Sequence, residues 1–439
     1  MAKKKIGIRD ENKYKMERRA PITPTYTERI IKDYGIEIDV LHSEKRIFTD
    51  EEYAKTGCNI VQNLDETPII FGVKEIPIQD LRQDKTYIFF SHVIKGQQHN
   101  MPLLQRMIDL KSTLIDYEKI VDENNRRLIF FGRHAGLAGM INTLWSFGLR
   151  LRHLGIVNPF ETLQQTYTYS SLEEAENVIK EIGNNIQING LPQELAPLTI
   201  GITGYGNVSI GAQHILDLLP ITEITPDELL NLKNNKNAIS NKTIYKVVFK
   251  EEHIAKHKDG EKFILHDFFN KPELFKSVFS KYVEHLTVLV NCSYWDNRYE
   301  PLVTKKHLRH LHSTNSKKLT VIGDISCDVN GGIEATHTGT EIENPIFVYD
   351  PMTDTPEFGH TGNGVLIMAV DILPSELPRE ASISFADALI DFIEPIVSCD
   401  YNTEFDNIKL PTPIKKALIL LQGELTPDYQ YLKKYLVSI

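Results

Sequence analysis

Cysteine is scarce in this chain: Cys58, Cys292, Cys327 and Cys399 are the four in 439 residues, and they form no CxxC pair. That excludes a disulfide scaffold and a thiolate zinc site, and the four read as small buried apolar side chains. No run approaches the roughly 18 uninterrupted apolar residues that a membrane span requires. Met1-Ala2-Lys3-Lys4-Lys5-Ile6-Gly7-Ile8 passes into a strand pattern without the apolar stretch of a signal peptide, so a cytoplasmic protein is expected. An excess of positive charge is missing too. Forty-nine basic against fifty-nine acidic residues leaves −10, which argues against nucleic acid or a membrane surface as a partner. The histidines of HLRHLH at 307–312, with His253 and His257, lack acidic or cysteine partners in sequence, so no metal is expected. What remains is ordinary globular composition, 41% hydrophobic and 25% charged, at a length that calls for two or three domains.

The first third alternates short apolar runs with amphipathic stretches. Strands are expected at Lys5 to Arg9, Glu37 to Leu41, Pro68 to Val73, Thr86 to Ser91, Thr113 to Asp116 and Leu128 to Phe131. Helices are expected at Tyr26 to Tyr34, Asp50 to Thr56 and Gln97 to Leu110. Strands separated by helices imply an α/β fold with a mainly parallel sheet. Gly136 to Leu154 is apolar nearly all round and lacks proline, which fits a long buried helix carrying the chain between domains. A second α/β unit opens with a strand at Leu198 to Thr203. The polar stretches at 232–242 and 250–262 mix both signs and read as solvated loops and surface helices. The tail from Ile383 reads as mostly helical, with Phe385 to Ile396 and Pro413 to Gln422 its clearest amphipathic pieces.

Leu198 to Thr203 runs straight into Gly204-Tyr205-Gly206-Asn207-Val208-Ser209-Ile210-Gly211 and then a helical pattern. Strand, GxG turn and helix N-terminus in this order form a pyrophosphate cradle, because bare glycines admit close backbone approach and a helix end presents free N–H donors. Gly204, Gly206, Asn207, Val208, Ser209 and Gly211 are the candidate cofactor-binding residues. Ser209 replaces the third glycine of the motif and is small enough for close packing. A carboxylate about 20 residues on would favour NAD. The candidates there, Glu223, Asp227 and Glu228, are not plainly at a strand end, and no arginine stands near, so NAD against NADP stays open.

Four strand ends in the first third carry charged or titratable residues: Lys74-Glu75, His92 with Lys95, Asp116-Tyr117-Glu118, and Arg9 with Glu17-Arg18-Arg19. In open α/β sheets ligands collect at the carboxyl ends of strands. Such a set suits a substrate bearing carboxylates and an amine, and supplies groups that move protons.

The segments GVKEIP at 72–77, TYIFFSHVIKGQQHNMPLL at 86–104, LIDYEKIVDENNRRLIFFGRHAGLAGMINTLW at 114–145 and TGYGNVSIGAQ at 203–213 resemble the alanine dehydrogenase and saccharopine dehydrogenase superfamily. The likeness continues through VNCSYWDNRYEPLVT at 290–304, IGDISCDVNGGIEATHTGTEIENPIFVYDP at 322–351 and GVLIMAVDILPSELPREAS at 364–382, and it is strongest to the lysine-ketoglutarate reductase branch. The resemblance implies two Rossmann-like domains with a cleft between them, the first completed by the carboxyl-terminal segment. The boundaries expected are 1–135 for the substrate and catalytic domain, 136–155 for the connecting helix, 156–345 for the dinucleotide-binding domain and 346–439 for the returning segment. It places proton transfer on Lys74 and His92, substrate binding on Arg19, Glu17, Glu75, Lys95 and Glu118, and Asp328 near the nicotinamide. NADP is the cofactor implied, with NAD as the alternative, and the substrates are lysine, 2-oxoglutarate and saccharopine. A homo-oligomer is compatible with it. Bifunctional relatives carry a second, saccharopine-cleaving domain beyond this length, so one of the two steps is expected here.

Joining the ε-amine of lysine to the keto carbon of 2-oxoglutarate needs a neutral amine, loss of water from a carbinolamine and hydride delivery to the imine. Deprotonating a free lysine amine at pH 7 costs roughly 4 to 5 kcal/mol, so a base is required, and an imidazole at position 92 suits that task. Lys74 is the matching proton donor, and Arg19, Lys95, Arg18 and Arg133 offer charge to the substrate carboxylates. An alanine-dehydrogenase-like enzyme and a catalytically silent cofactor sensor are the alternatives. Closure is also expected, about a hinge near the start of the long helix, around Gly136 and Gly139, and at the return crossing between Asp328 and Pro378.

Overall fold

The computed structural model describes residues 4–234, 239–314 and 318–436. The chain divides into two compact units, Met1–Phe131 with Pro378–Ile439, and Gly132–Leu377. Among its described residues the first contains six parallel strands: β1 (Lys5–Ile8), β2 (Glu37–Leu41), β3 (Asn59–Val61), β4 (Ile69–Phe71), β5 (Thr86–Phe89) and β6 (Thr113–Asp116). They lie in the order β6-β5-β4-β1-β2-β3, and two strands from the far end of the sequence, β17 (Leu418–Leu421) and β18 (Glu424–Leu425), extend the β6 edge antiparallel. Strand numbers run in chain order, and β7 to β16 belong to the second unit.

Helices α1 (Pro24–Tyr34), α2 (Asp50–Ala54) and α3 (Met101–Asp109) connect the strands. α1 begins with proline in its first turn and ends where Gly35, at φ 63, returns its N–H to the Ile31 carbonyl. The helix Pro378–Ser398 presents Phe385, Leu389, Ile393 and Ile396 at helical spacing to the core that holds Ile8, Phe71 and Ile115. The carboxyl-terminal segment thus supplies core and two strands to the first unit.

Three expectations need correcting here. Leu128 to Phe131 is not a strand; Ile129 is buried, and the Phe131 ring stacks on Phe385 at 4.6 Å, so its apolar character is spent on side-chain packing. The helix expected at Pro413 to Gln422 is one short turn, Thr412–Lys416, followed by β17, because Leu418-Ile419-Leu420-Leu421 is buried on both faces and such a run has no period to read. The return to the first unit occurs at Pro378, not at 346, since the three strands following residue 345 pair in the second sheet.

The second unit opens with α4 (Gly132–His153) and α5 (Leu172–Asn189). Its strands β7 (Thr199–Thr203), β8 (Ile221–Glu223), β9 (Ile244–Phe249), β12 (Val288–Asn291), β13 (Val321–Asp324) and β16 (Val365–Met368) are parallel, in the order β16-β13-β12-β7-β9-β8. β14 (Ile346–Asp350) and β15 (Thr355–Phe358) add an antiparallel edge, and β10 (Ala255–His257) with β11 (Phe275–Ser277) forms a separate two-stranded antiparallel sheet. The solvated loop expected at 232–242 falls partly on residues 235–238, which lie outside the described residues. Among the described residues no helix is long and apolar enough to cross a membrane.

Helix α6 (Asn207–Leu216) follows the glycine turn and packs on α4. A Cβ at Gly136 would stand 1.9 Å from the Val208 carbonyl oxygen, and one at Gly211 would stand 2.1 Å from the Arg133 carbonyl oxygen. A Cβ at Gly139 would stand 2.6 Å from Ile325. These glycines let backbones and side chains meet inside one unit, so Gly136 and Gly139 are packing positions. Gly211 likewise has a packing role. Gly211→Ala is expected to destabilise the second unit by about 3 kcal/mol, at the upper end of overpacking costs because the obstacle is backbone. A denaturation midpoint equal to wild type would refute this.

Candidate active site

In the first sheet the chain runs outward from β1 to β2 and β3, then returns to lay β4 on the other side of β1. The reversal leaves a crevice at the carboxyl ends of β1 and β4, where ligands bind in such sheets. Lys74 and Glu75 follow β4 there. Glu11, three residues beyond β1, is buried and accepts the Val73 and Lys74 backbone N–H groups at 2.7 and 2.9 Å, while Arg9 donates to it at 3.2 Å. Burial raises the Glu11 carboxyl, opposed by Arg9 and the two backbone donors. The turn carrying Lys74 is thereby pinned by a residue that sequence reasoning passed over. Its only signal was an acid two positions after Arg9.

His92 and Glu75 come together across neighbouring strands: His92 Nδ1 lies 2.7 Å from Glu75 Oε1. His92 has φ 55, a left-handed conformation uncommon outside glycine, and its carbonyl accepts Asn100 Nδ2 at 3.0 Å. The same Glu75 oxygen receives Lys13 Nζ at 2.8 Å, and Oε2 is buried without a hydrogen-bond partner among the described residues. Burial pushes the Glu75 carboxyl up, but the His92 and Lys13 contacts outweigh it and hold the pKa at about 2. Because the pKa is depressed, the stabilisation these contacts give is present above the ordinary carboxylate range and lost as pH falls toward about 2. Lys13 Nζ and Lys74 Nζ lie 5.1 and 5.9 Å from the centroid of the Tyr14 ring, so two ammonium groups share one aromatic ring. Lys13 was not foreseen, since a lysine in a charged loop carries no distinguishing pattern.

Other expected residues are placed differently. Arg19 donates through Nε and Nη2 to both oxygens of Glu17, at 2.7 and 2.6 Å, and its guanidinium lies 4.1 Å from the Phe131 ring centroid. The structure therefore brings these two expected substrate contacts onto each other as a buried pair. Glu118 is ion-paired with Arg127, and Lys95 is exposed in the turn after His92. Arg18 donates to the Lys45 carbonyl at 3.1 Å, and Arg133 lies in the first turn of α4, in the second unit. Asp116, fully buried, accepts the Ser91 N–H at 3.0 Å and the Ser91 hydroxyl, fixing the residue before His92.

In the second unit the chain reverses between β7 and β12, and the glycine turn leaves β7 at that point. Gly204 takes φ 78, its N–H bonded to the Phe249 carbonyl at 2.9 Å. A Cβ on Gly206 would meet nothing within 4 Å. A glycine that the fold itself does not require, at a helix N-terminus, fits a ligand's need for close backbone approach, so the residues present suit a dinucleotide. Asn207 and Val208 open α6, and Ser209 is buried, accepting Gln213 Nε2 at 3.0 Å. Asp328 is exposed in the loop after β13.

Glu223 does end β8, but β8 is not the neighbour of β7. β9 is, and Glu223 is instead paired with Lys246 at 3.1 Å. The charged groups that follow β9, the neighbour of β7, are Lys250 and Glu251, and burial together with the Glu251 charge raises the hydroxyl of Tyr205 in the turn. They escape a fixed spacing of about 20 residues because a whole strand and its loop intervene.

Residues 7–138 match the family described as alanine dehydrogenase/PNT, N-terminal domain. The chain is 39% identical to alpha-aminoadipic semialdehyde synthase of Arabidopsis thaliana over 98% of its own length and 41% of that protein. It thus spans under half of that relative. It is 27% identical to the NAD(+), L-lysine-forming saccharopine dehydrogenase of Emericella nidulans over 89% of this chain and 91% of the other. Among solved structures, an L-alanine dehydrogenase shares the fold with TM-score 0.60 at 16% identity, covering 98% of this chain and 99% of that one.

Proposed function

We propose that this homologue of the alpha-aminoadipic semialdehyde synthases and lysine-forming saccharopine dehydrogenases condenses lysine with 2-oxoglutarate and reduces the product to saccharopine, or runs the reverse. The observation that carries the reading is the group of Lys74, His92 and Glu75 at the carboxyl ends of β4 and β5. A carboxylate at His92 Nδ1 selects the tautomer with its proton on that nitrogen, leaving Nε2 as the basic atom. His92 Nε2 then takes a proton from the lysine ε-ammonium, so the amine attacks the keto carbon. Lys74 gives a proton to the carbinolamine oxygen, which leaves as water. The buried Glu75 Oε2 suits an ammonium or hydroxyl donor. Lys13 neutralises Glu75 and keeps a second cation at the Tyr14 ring, favouring carboxylate-bearing substrates.

A nicotinamide dinucleotide, when bound, supplies the hydride. Gly204, Gly206 and the N–H groups of Asn207 to Ser209 would hold its pyrophosphate. NADPH is the cofactor favoured, on family resemblance. Lys250 and Glu251 bring one charge of each sign to the ribose end, so both dinucleotides belong in the assay. Oxidation of the reduced cofactor is expected only with lysine and 2-oxoglutarate together. Equal turnover with pyruvate and ammonia would replace this reading with an alanine-dehydrogenase-like activity. No turnover despite tight cofactor binding would favour a sensor.

A further inference from the structure

Three neighbouring strands of the second sheet end in buried polar side chains: Thr203 on β7, Asn291 on β12 and Asp324 on β13. Thr203 Oγ1 donates to Asn291 Oδ1 at 2.8 Å, and Asn291 Nδ2 donates to Asp324 Oδ1 at 2.9 Å. The Thr203 hydroxyl also accepts the Cys292 N–H at 3.2 Å. Asp324 Oδ1 accepts the Cys327 N–H at 3.3 Å, and Oδ2 accepts the Thr336 hydroxyl at 2.6 Å. Asp324 therefore holds both ends of the loop that carries Asp328, and through Asn291 it reaches the residue immediately before Gly204. All three groups around it donate, an arrangement complementary to the carboxylate and not to the acid.

We propose that Asp324 is a positioning residue for the dinucleotide site: as the carboxylate it fixes loop 325–336 and the ends of β7 and β12 against the glycine turn, and protonation loosens that hold. This rests on the reading that Gly204 to Ser209 binds a nicotinamide dinucleotide.

Burial raises the Asp324 carboxyl to about 6, against the Thr336, Asn291 and Cys327 hydrogen bonds that favour the anion. The titratable groups around it are Asp328 and Cys327 on its own loop and Cys292 directly after β12. Thr203 from β7, Thr336, and Thr143 of α4 across Gly323 carry no charge. Because the folded pKa is raised, the stability gained from the acid form is full below the ordinary aspartate range and lost as pH rises through about 6. Cofactor binding is expected to run the other way, strengthening as pH rises through the same window. A residue that mattered only to the fold would move both together.

The test is fluorescence titration of the full chain with NADPH and NADH between about pH 5 and 7.5, beside thermal unfolding. Asp324→Asn, which puts an amide N–H where Oδ2 accepts, is expected to weaken binding about tenfold at the upper end of that range and to flatten its pH dependence without lowering thermal stability. Thr336→Val, which removes the donor to the same oxygen, should weaken binding by a smaller factor. Wild-type affinity and pH dependence in Asp324→Asn would overturn the proposal, as would a loss of binding that only follows unfolding. Failure of the wild type to bind either dinucleotide would instead overturn the cofactor reading, and this inference with it.

Discussion

Gly206→Val is expected to abolish dinucleotide binding, weakening it at least about 100-fold, while the protein folds as before. The backbone at Gly206 has φ −79 and ψ −169, extended values that valine adopts readily. A Cβ there meets no protein atom within 4 Å, so nothing in the fold resists the side chain. The pyrophosphate needs that space, because its oxygens must come within hydrogen-bond distance of the N–H groups that open α6. The contrast with Gly211 sharpens the test: a substitution there strikes the Arg133 carbonyl, so its expected effect is on stability. Unchanged NADPH and NADH affinity in folded Gly206→Val would reduce the turn to a structural element.

His92→Ala and Lys74→Met are each expected to lower turnover about 100-fold or more, the usual contribution of a positioned acid or base. Cofactor affinity should stay near wild type in both, since the glycine turn belongs to the other unit. His92→Ala also removes the Nδ1 partner of Glu75 while Lys13 at 2.8 Å remains, so the carboxylate keeps a counter-charge and the turn should survive. Steady-state rates with saturating lysine and 2-oxoglutarate measure the effect. Wild-type turnover in both variants would remove these side chains from the chemistry.

The two α/β sheets were legible because short apolar strand runs alternate with amphipathic helical stretches, as from β5 through α3 to β6, which closes at Asp116. At β7 the turn chemistry agrees with the hydrophobic pattern, since a buried strand leads directly into Gly204 and then into α6. Lys74, Glu75 and His92 were legible as strand-end residues, because each stands within a few positions of an apolar run. The tail strand β17 was not, because a four-residue run buried on both faces shows neither a helical nor an alternating period.

What the sequence determined by itself was local: the alternation of elements, the glycine turn with its helix, and the residue types available at each strand end. Those follow from backbone propensity and side-chain periodicity, which act over a few residues. Only the tertiary structure decided which strand ends become neighbours. It put β9 rather than β8 beside β7, brought Glu11 under the Lys74 backbone, paired Arg19 with Glu17, and joined Thr203, Asn291 and Asp324 into one buried chain. These contacts join residues far apart in sequence or depend on the conformation of a loop. They are fixed by the burial of whole sheets and by the need of each enclosed polar group for a partner, and neither requirement is written in any short segment.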